Sequence, residues 1–165
     1  TIHGPNGRYP NDVKVLEAIA QMFTRVGVDT QVEVMPPATF FTRASSGANG
    51  MPEFSVIFAG GGTNTAEGSS ALIPLILTND RSKGLGVGNR GRYSNAKVDE
   101  LTLQAISTMD DRKRHDLLAE ATEIAFGDVA MIPLYFVNNT WASRKPIVVD
   151  ARADEYTIVM GIRPQ

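Results

Sequence analysis

The chain has 165 residues, 42% hydrophobic and 21% charged, with a net charge of −2 and no cysteine. That length suits one respectable core and not obviously two, and the slight acidity argues against nucleic acid as a general partner. Without cysteine a disulfide framework and a thiolate metal site are excluded, and no apolar run approaches the ~20 residues of a membrane span.

Residues 1–3 read as the end of a strand, and a start at Thr1 with no Met and no basic-then-apolar leader suggests a processed or excised beginning. Residues 4–12 (GPNGRYPND) are turn chemistry throughout. Asn11 or Asp12 suits an N-cap, and Val13, Leu16, Ile19 or Ala20, Phe23 and Val26 then recur at helical spacing, with Gly27 as the expected C-cap. Residues 30–35 alternate Val32 and Val34 against Gln31 and Glu33 as a strand, which Pro36-Pro37 ends. Such a strand–helix–strand unit implies a right-handed parallel crossover. Residues 37–46 suit a short helix with Phe40, Phe41 and Ala44 on one side, and 45–52 a loop.

Residues 54–59 (FSVIFA) form a short, almost wholly apolar run, the pattern of a central strand covered on both faces. Gly60, Gly61 and Gly62 follow it. Each glycine costs roughly 0.5–1 kcal/mol relative to alanine, so three together suggest close approach of backbone to something. Ligands in open α/β sheets sit beyond the carboxyl ends of strands. Gly60, Gly61, Gly62, Thr63, Asn64, Thr65 and Glu67 are therefore expected to floor a ligand site, with a plain flexible connection as the alternative. Arg8 and Tyr9 follow the first strand at its carboxyl end and should face the same edge, where an aromatic and an arginine suit ligand binding as well as turn packing.

Residues 69–77 suit a helix burying Leu72, Ile73 and Ile76, although Pro74 is awkward there beyond the first turn. Residues 78–93 are long, polar and glycine-rich, and a loop of this kind is usually functional or mobile. Arg90 and Arg92 within it could meet a ligand carboxylate in bidentate fashion, or belong to a solvated basic loop. Ser94 or Asn95 caps a helix burying Val98, Leu101, Ala105 and Ile106. Asp110-Asp111 opens the next, which buries Leu117, Leu118, Ala121, Ile124 and Ala125. Residues 131–137 (MIPLYFV) read as a buried strand with 139–143 beside it, and 156–160 as a last strand.

Other chemistry finds little support. His3 and His115 lie far apart with no second ligand at useful spacing, so no metal site is expected. There is no Gly-x-Ser-x-Gly elbow and no general base for a serine triad, so no catalytic residue is assigned. Residues 84–91 (GLGVGNRG) lack the Lys-Ser/Thr and the preceding strand of a phosphate loop, and no cofactor is expected.

The stretches HGPNGRYPND, FAGGGTNTAEGSSAL, NRGRYSNAKVDEL and AMIPLYFVNNTWASRK together resemble the C-terminal lobe of the family 5 periplasmic solute-binding proteins of ABC transporters, the peptide/nickel/glutathione type. The motif Tyr93-Ser94-Asn95 with Val98-Asp99, and Ile132-Pro133-Leu134 followed by Asn139 and Trp141, carry much of that likeness. The resemblance implies an α/β fold, one lobe of a type II periplasmic-binding-protein-like architecture with a mostly parallel sheet flanked by helices. It implies that residues 1–145 are a ligand-binding lobe of a longer chain and 146–165 a return segment toward an N-terminal lobe. The implied role is the non-enzymatic, periplasmic substrate-binding component of an ABC importer, with a small polar solute or short or modified peptide in the cleft and permease subunits as partners. Many relatives carry Gly-Trp with an Asp three residues beyond; this chain has Gly61 and Asn64 there, which removes the carboxylate that pairs with a peptide amino terminus. Residues 63–67 are more similar to glutathione-type binders. An α/β enzyme domain working through the Ser/Thr-rich loop, and a ligand-free module docking on a permease or sensor, stand as alternatives.

Overall fold

The computed structural model describes residues 1–165 except Thr63, Asn64, Ala66, Ala153, Glu155 and Gln165. Its first unit is β1 (Ile2–Pro5), α1 (Asp12–Arg25), β2 (Val32–Met35) and α2 (Pro37–Ser45). The first strand pairs in parallel with the second, Ile2 opposite Val32 through Pro5 opposite Met35. That is the crossover anticipated from the alternating pattern. On its other side β1 exchanges bonds with the 54–59 run: His3 N–H donates to Val56 O at 3.0 Å and Phe58 N–H to His3 O at 2.8 Å. The middle position therefore belongs to β1, and the apolar run lies at an edge, making one parallel bridge at Ile57. Phe54 is buried there while Val56 is 48% exposed, so the expectation of a strand covered on both faces is corrected. An apolar run also fits a strand buried on one face only, and composition does not separate the two cases.

Two cores result. Met35, Phe40, Ala44 and Phe54 close one beneath the small sheet, with Phe54 stacked on His3 at 4.0 Å and on Phe40 at 6.0 Å between ring centres. Leu16 and Ala20 of α1 are also buried, but Val26 is 75% exposed and Phe23 sits at the margin, so the buried stripe of that helix is shorter than its periodicity suggests. Gly27 takes the left-handed conformation at φ 89°, as a helix-ending glycine does.

The second core joins α3 (Ser69–Leu75), α4 (Ala96–Ile106) and α5 (Asp111–Gly127). It is built from Leu72, Ile76, Leu77, Val98, Leu101, Ala105, Leu118, Ala121 and Ala125. Ile106 is half-exposed instead. Asn95 caps α4 by accepting from Lys97 and Val98 N–H, and Asp110 caps α5 by accepting from Lys113 N–H at 2.7 Å. Pro74 lies inside α3 one residue from its C-terminal end, so the helix stops almost at once beyond it.

Residues 78–93, which the sequence marks as functional or mobile, are exposed over 81–84 but anchored at both ends. Asn89, 3% exposed, donates to the carbonyls of Ile76, Leu77 and Tyr93 and accepts from Tyr93 N–H, so one side chain ties both ends of the loop to the helical core.

The C-terminal third departs most from expectation. Residues 131–137 and 139–143 make no strand among the described residues; Phe136 is 99% and Ile132 64% exposed. Apolarity alone signals a strand only if a neighbour supplies the ladder. Within 156–160 the backbone ends in a 3₁₀ turn, Val159–Gly161, and the sheet there is an antiparallel pair of β3 (Ile147–Val149) and β4 (Ile162–Pro164).

Candidate functional site

The Arg8–Tyr9 turn is held by Asp12. One carboxylate oxygen accepts from Arg8 N–H at 2.9 Å and Tyr9 N–H at 3.1 Å, the other from Val13 N–H at 2.9 Å. Burial alone raises the carboxyl pKa, but these backbone donors outweigh it and leave the group below the ordinary range. Asn11 supplies the left-handed residue at φ 56° that turns the chain into α1. The turn thereby fixes Tyr9, whose ring packs edge-on to Phe58 at 5.8 Å and whose hydroxyl donates to Gly60 O at 3.3 Å.

The structure thus brings Tyr9 and Gly60 together on the rim beyond the carboxyl ends of β1 and its 54–59 neighbour. A Cβ on Gly60 would lie 2.7 Å from the Tyr9 ring, and one on Gly61 2.9 Å from Leu75 Cδ1; on Gly62 it would meet nothing within 4 Å. Close approach does explain the first two glycines, and what approaches is the protein's own side chains. All three backbones remain exposed, as does Thr65. Thr63 and Asn64 lie outside the described residues.

Glu67 points elsewhere. Its carboxylate bonds the Arg114 guanidinium at 2.7 Å and accepts from Ser69 Oγ at 2.9 Å, which fastens the end of the glycine loop to α5. Arg114 also reaches Asp111 and the Thr108 carbonyl. Sequence reasoning missed Arg114, whose partner lies 47 positions away; an arginine on a helix carries no local sign of such a role.

The two loop arginines divide. Arg92, at φ 54°, donates to the carbonyls of Asn89 and Ser45, completing the end of α2. Arg90 lies over the Phe41 ring at 5.1 Å and donates from Nε to Ser45 Oγ at 3.1 Å and from Nη1 to Gly88 O at a marginal 3.5 Å. Partial burial lowers its pKa. Arg8 is exposed, its guanidinium 5.5 Å from the Tyr9 ring centre. Among the described residues no group of three or more His, Asp or Glu could hold a metal ion.

No protein-family model and no curated protein sequence matches the chain. Solved structures do. HbpA2 from Haemophilus parasuis superposes over 100% of this chain at TM-score 0.70 and 19% identity. The oligopeptide binding protein from Thermus thermophilus, complexed with pentapeptide, does so over 89% at 0.68 and 22%. The ABC transporter-associated periplasmic binding protein DppA from Helicobacter pylori, in complex with peptide STSA, does so over 78% at 0.64 and 22%. The fold is that of part of a periplasmic binding protein. The chain spans only 32%, 26% and 23% of those three binding proteins, respectively. The α/β class implied by the sequence resemblance agrees with this binding-protein fold. No described helix is long and apolar enough to cross a membrane.

Proposed function

We propose that this chain is the C-terminal lobe, residues 1–145 with a return segment at 146–165, of a two-lobe solute-binding component of an ABC importer. It acts in the periplasm and handles a small polar solute, most simply a short or modified peptide. The observation that supports this best is the meeting of Tyr9 with Gly60 on a sheet rim whose glycine backbone is open to solvent. Exposed N–H groups there suit ligand oxygens, and Asn64 and Thr65 supply further polar groups. Binding would then stabilise closure of the partner lobe over this rim through contacts made only when closed. The role is non-enzymatic, and the permease is its downstream partner.

Isothermal titration of the full-length protein with di- to pentapeptides and with glutathione tests the reading. Heat with any of them is expected, and no heat with all of them would remove the peptide assignment. A gain of peptide affinity in Asn64→Asp would separate this reading from a ligand-free docking module.

A further inference from the structure

We propose that the C-terminal end of α5 is a two-register stop: the left-handed residue that ends the helix is Val129 in this structure and Gly127 in the alternative. The observed end is a Schellman motif. Ala130 N–H donates to Ala125 O at 3.0 Å and Val129 N–H to Phe126 O at 3.1 Å, with Val129 at φ 57°. Glycine is the usual residue at that position, because a Cβ is disfavoured there. Among the described residues Asn11, Arg92 and Val129 are the non-glycine residues with positive φ, and only the valine is β-branched. Val129 is also 64% exposed, so its side chain recovers little by packing.

A glycine suited to the stop stands two residues earlier. Gly127 is helical, where glycine is a weak choice, and a Cβ on it would meet nothing within 4 Å. Neither space nor φ asks for glycine there, whereas a stop at Gly127 would use it. Asp128 holds the longer helix: its Oδ2 accepts from Tyr93 Oη at 2.7 Å and from Asn95 Nδ2 at 2.8 Å. The same Asn95 caps α4 through Oδ1, so the start of α4 and the end of α5 meet at one carboxylate. Ala130 adds packing against the second core. Moving the stop to Gly127 withdraws Asp128 from those donors and frees two residues. Each spans about 1.5 Å in a helix and about 3.3 Å when extended, so the run from 131 onward gains about 3.6 Å of reach. A return segment following a partner lobe needs such slack; that use, unlike the two registers, rests on the reading above.

Hydrogen exchange of the full-length protein without solute, resolved to single amides by fragmentation mass spectrometry, tests this. Tyr93→Phe should lower the protection of the Val129 and Ala130 amides together, several-fold, and leave residues 121–125 unchanged. Val129→Gly should raise protection at 129 and 130 several-fold. In a Gly127→Ala background, which removes the alternative stop, Tyr93→Phe should have little effect. Equal loss in both backgrounds, loss spreading through 121–125, or no gain in Val129→Gly would overturn the proposal in favour of plain fraying. Because no solute is present, the absence of heat with peptides would leave the two registers standing. Heat with a peptide and unchanged protection at 129 and 130 in its presence would keep the solute reading and reject the use in closure.

Discussion

The Tyr9 ring occupies the space that any side chain on Gly60 would need, 2.7 Å from an ideal Cβ, while its hydroxyl bonds the same residue's carbonyl. Ring and glycine therefore form one unit, and neither can be altered alone. Gly60→Ala must push the ring aside or shift the loop, a rearrangement of the overpacking kind that costs about 1–3 kcal/mol. The expected outcome is a lower melting temperature together with loss of solute binding. Gly62→Ala, with nothing within 4 Å of its Cβ, should leave the melting temperature unchanged. Paired thermal denaturation and titration curves check both.

Asn89 should be the most sensitive polar position. Replacing it with Ala abandons the buried bonds to the Ile76 and Leu77 carbonyls, each left unsatisfied at a cost of about 1 kcal/mol or more, together with the part-buried bonds to Tyr93 O and from Tyr93 N–H. A destabilisation of about 2–4 kcal/mol is expected in urea unfolding. Asn89→Asp should be as damaging, since it keeps the acceptor and removes the donors.

Asp12 carries a pH dependence of definite sign. Its folded pKa is depressed, burial being outweighed by the Tyr9, Arg8 and Val13 N–H donors. It therefore contributes stability above the unfolded carboxyl value of ~3.9, lost as pH falls through the folded value. Asp12→Asn should destabilise the neutral-pH protein by about 1–2 kcal/mol and flatten its stability profile on the acid side. Unfolding curves at stepped pH read this directly.

Tyr93 behaves oppositely. Burial and its hydrogen bond to Asp128 push the phenol up to about 12. Its contribution is complete below the unfolded value of ~10 and disappears as pH rises to about 12. Ultraviolet titration should show a late phenol ionisation approaching about 12, and Tyr93→Phe should abolish that step.

Arg114→Ala should release the end of the glycine loop by removing the partner of Glu67. Limited proteolysis is expected to cut near residues 60–68 several-fold faster, with the helical content retained by circular dichroism.

Legibility followed the range of the forces involved. Local signals gave α1, and gave α4 and α5 with their caps, because Asn95 and Asp110 bond N–H groups two or three residues away, whereas Asn11 begins α1 without a side-chain cap. The β1–β2 crossover was likewise readable from Val32 and Val34 and the Pro36 stop. The failures all concern a choice of neighbour. Nothing in FSVIFA says that β1, not this run, takes the middle of the sheet, and nothing in MIPLYFV says that no described strand lies beside it. The same holds at the site: that Tyr9 would meet the glycine corner could be argued from strand ends, whereas the division of labour between Arg90 and Arg92 depends on where the last turn of α2 falls.

The open stretch around Phe136 has a practical corollary for anyone preparing this polypeptide. Six bulky side chains and a row of amides stand ready to zip onto whatever extended backbone drifts by, including another molecule of the same kind. Purified stocks should grow turbid with concentration and warmth, and a lysine placed at position 136 should keep them clear.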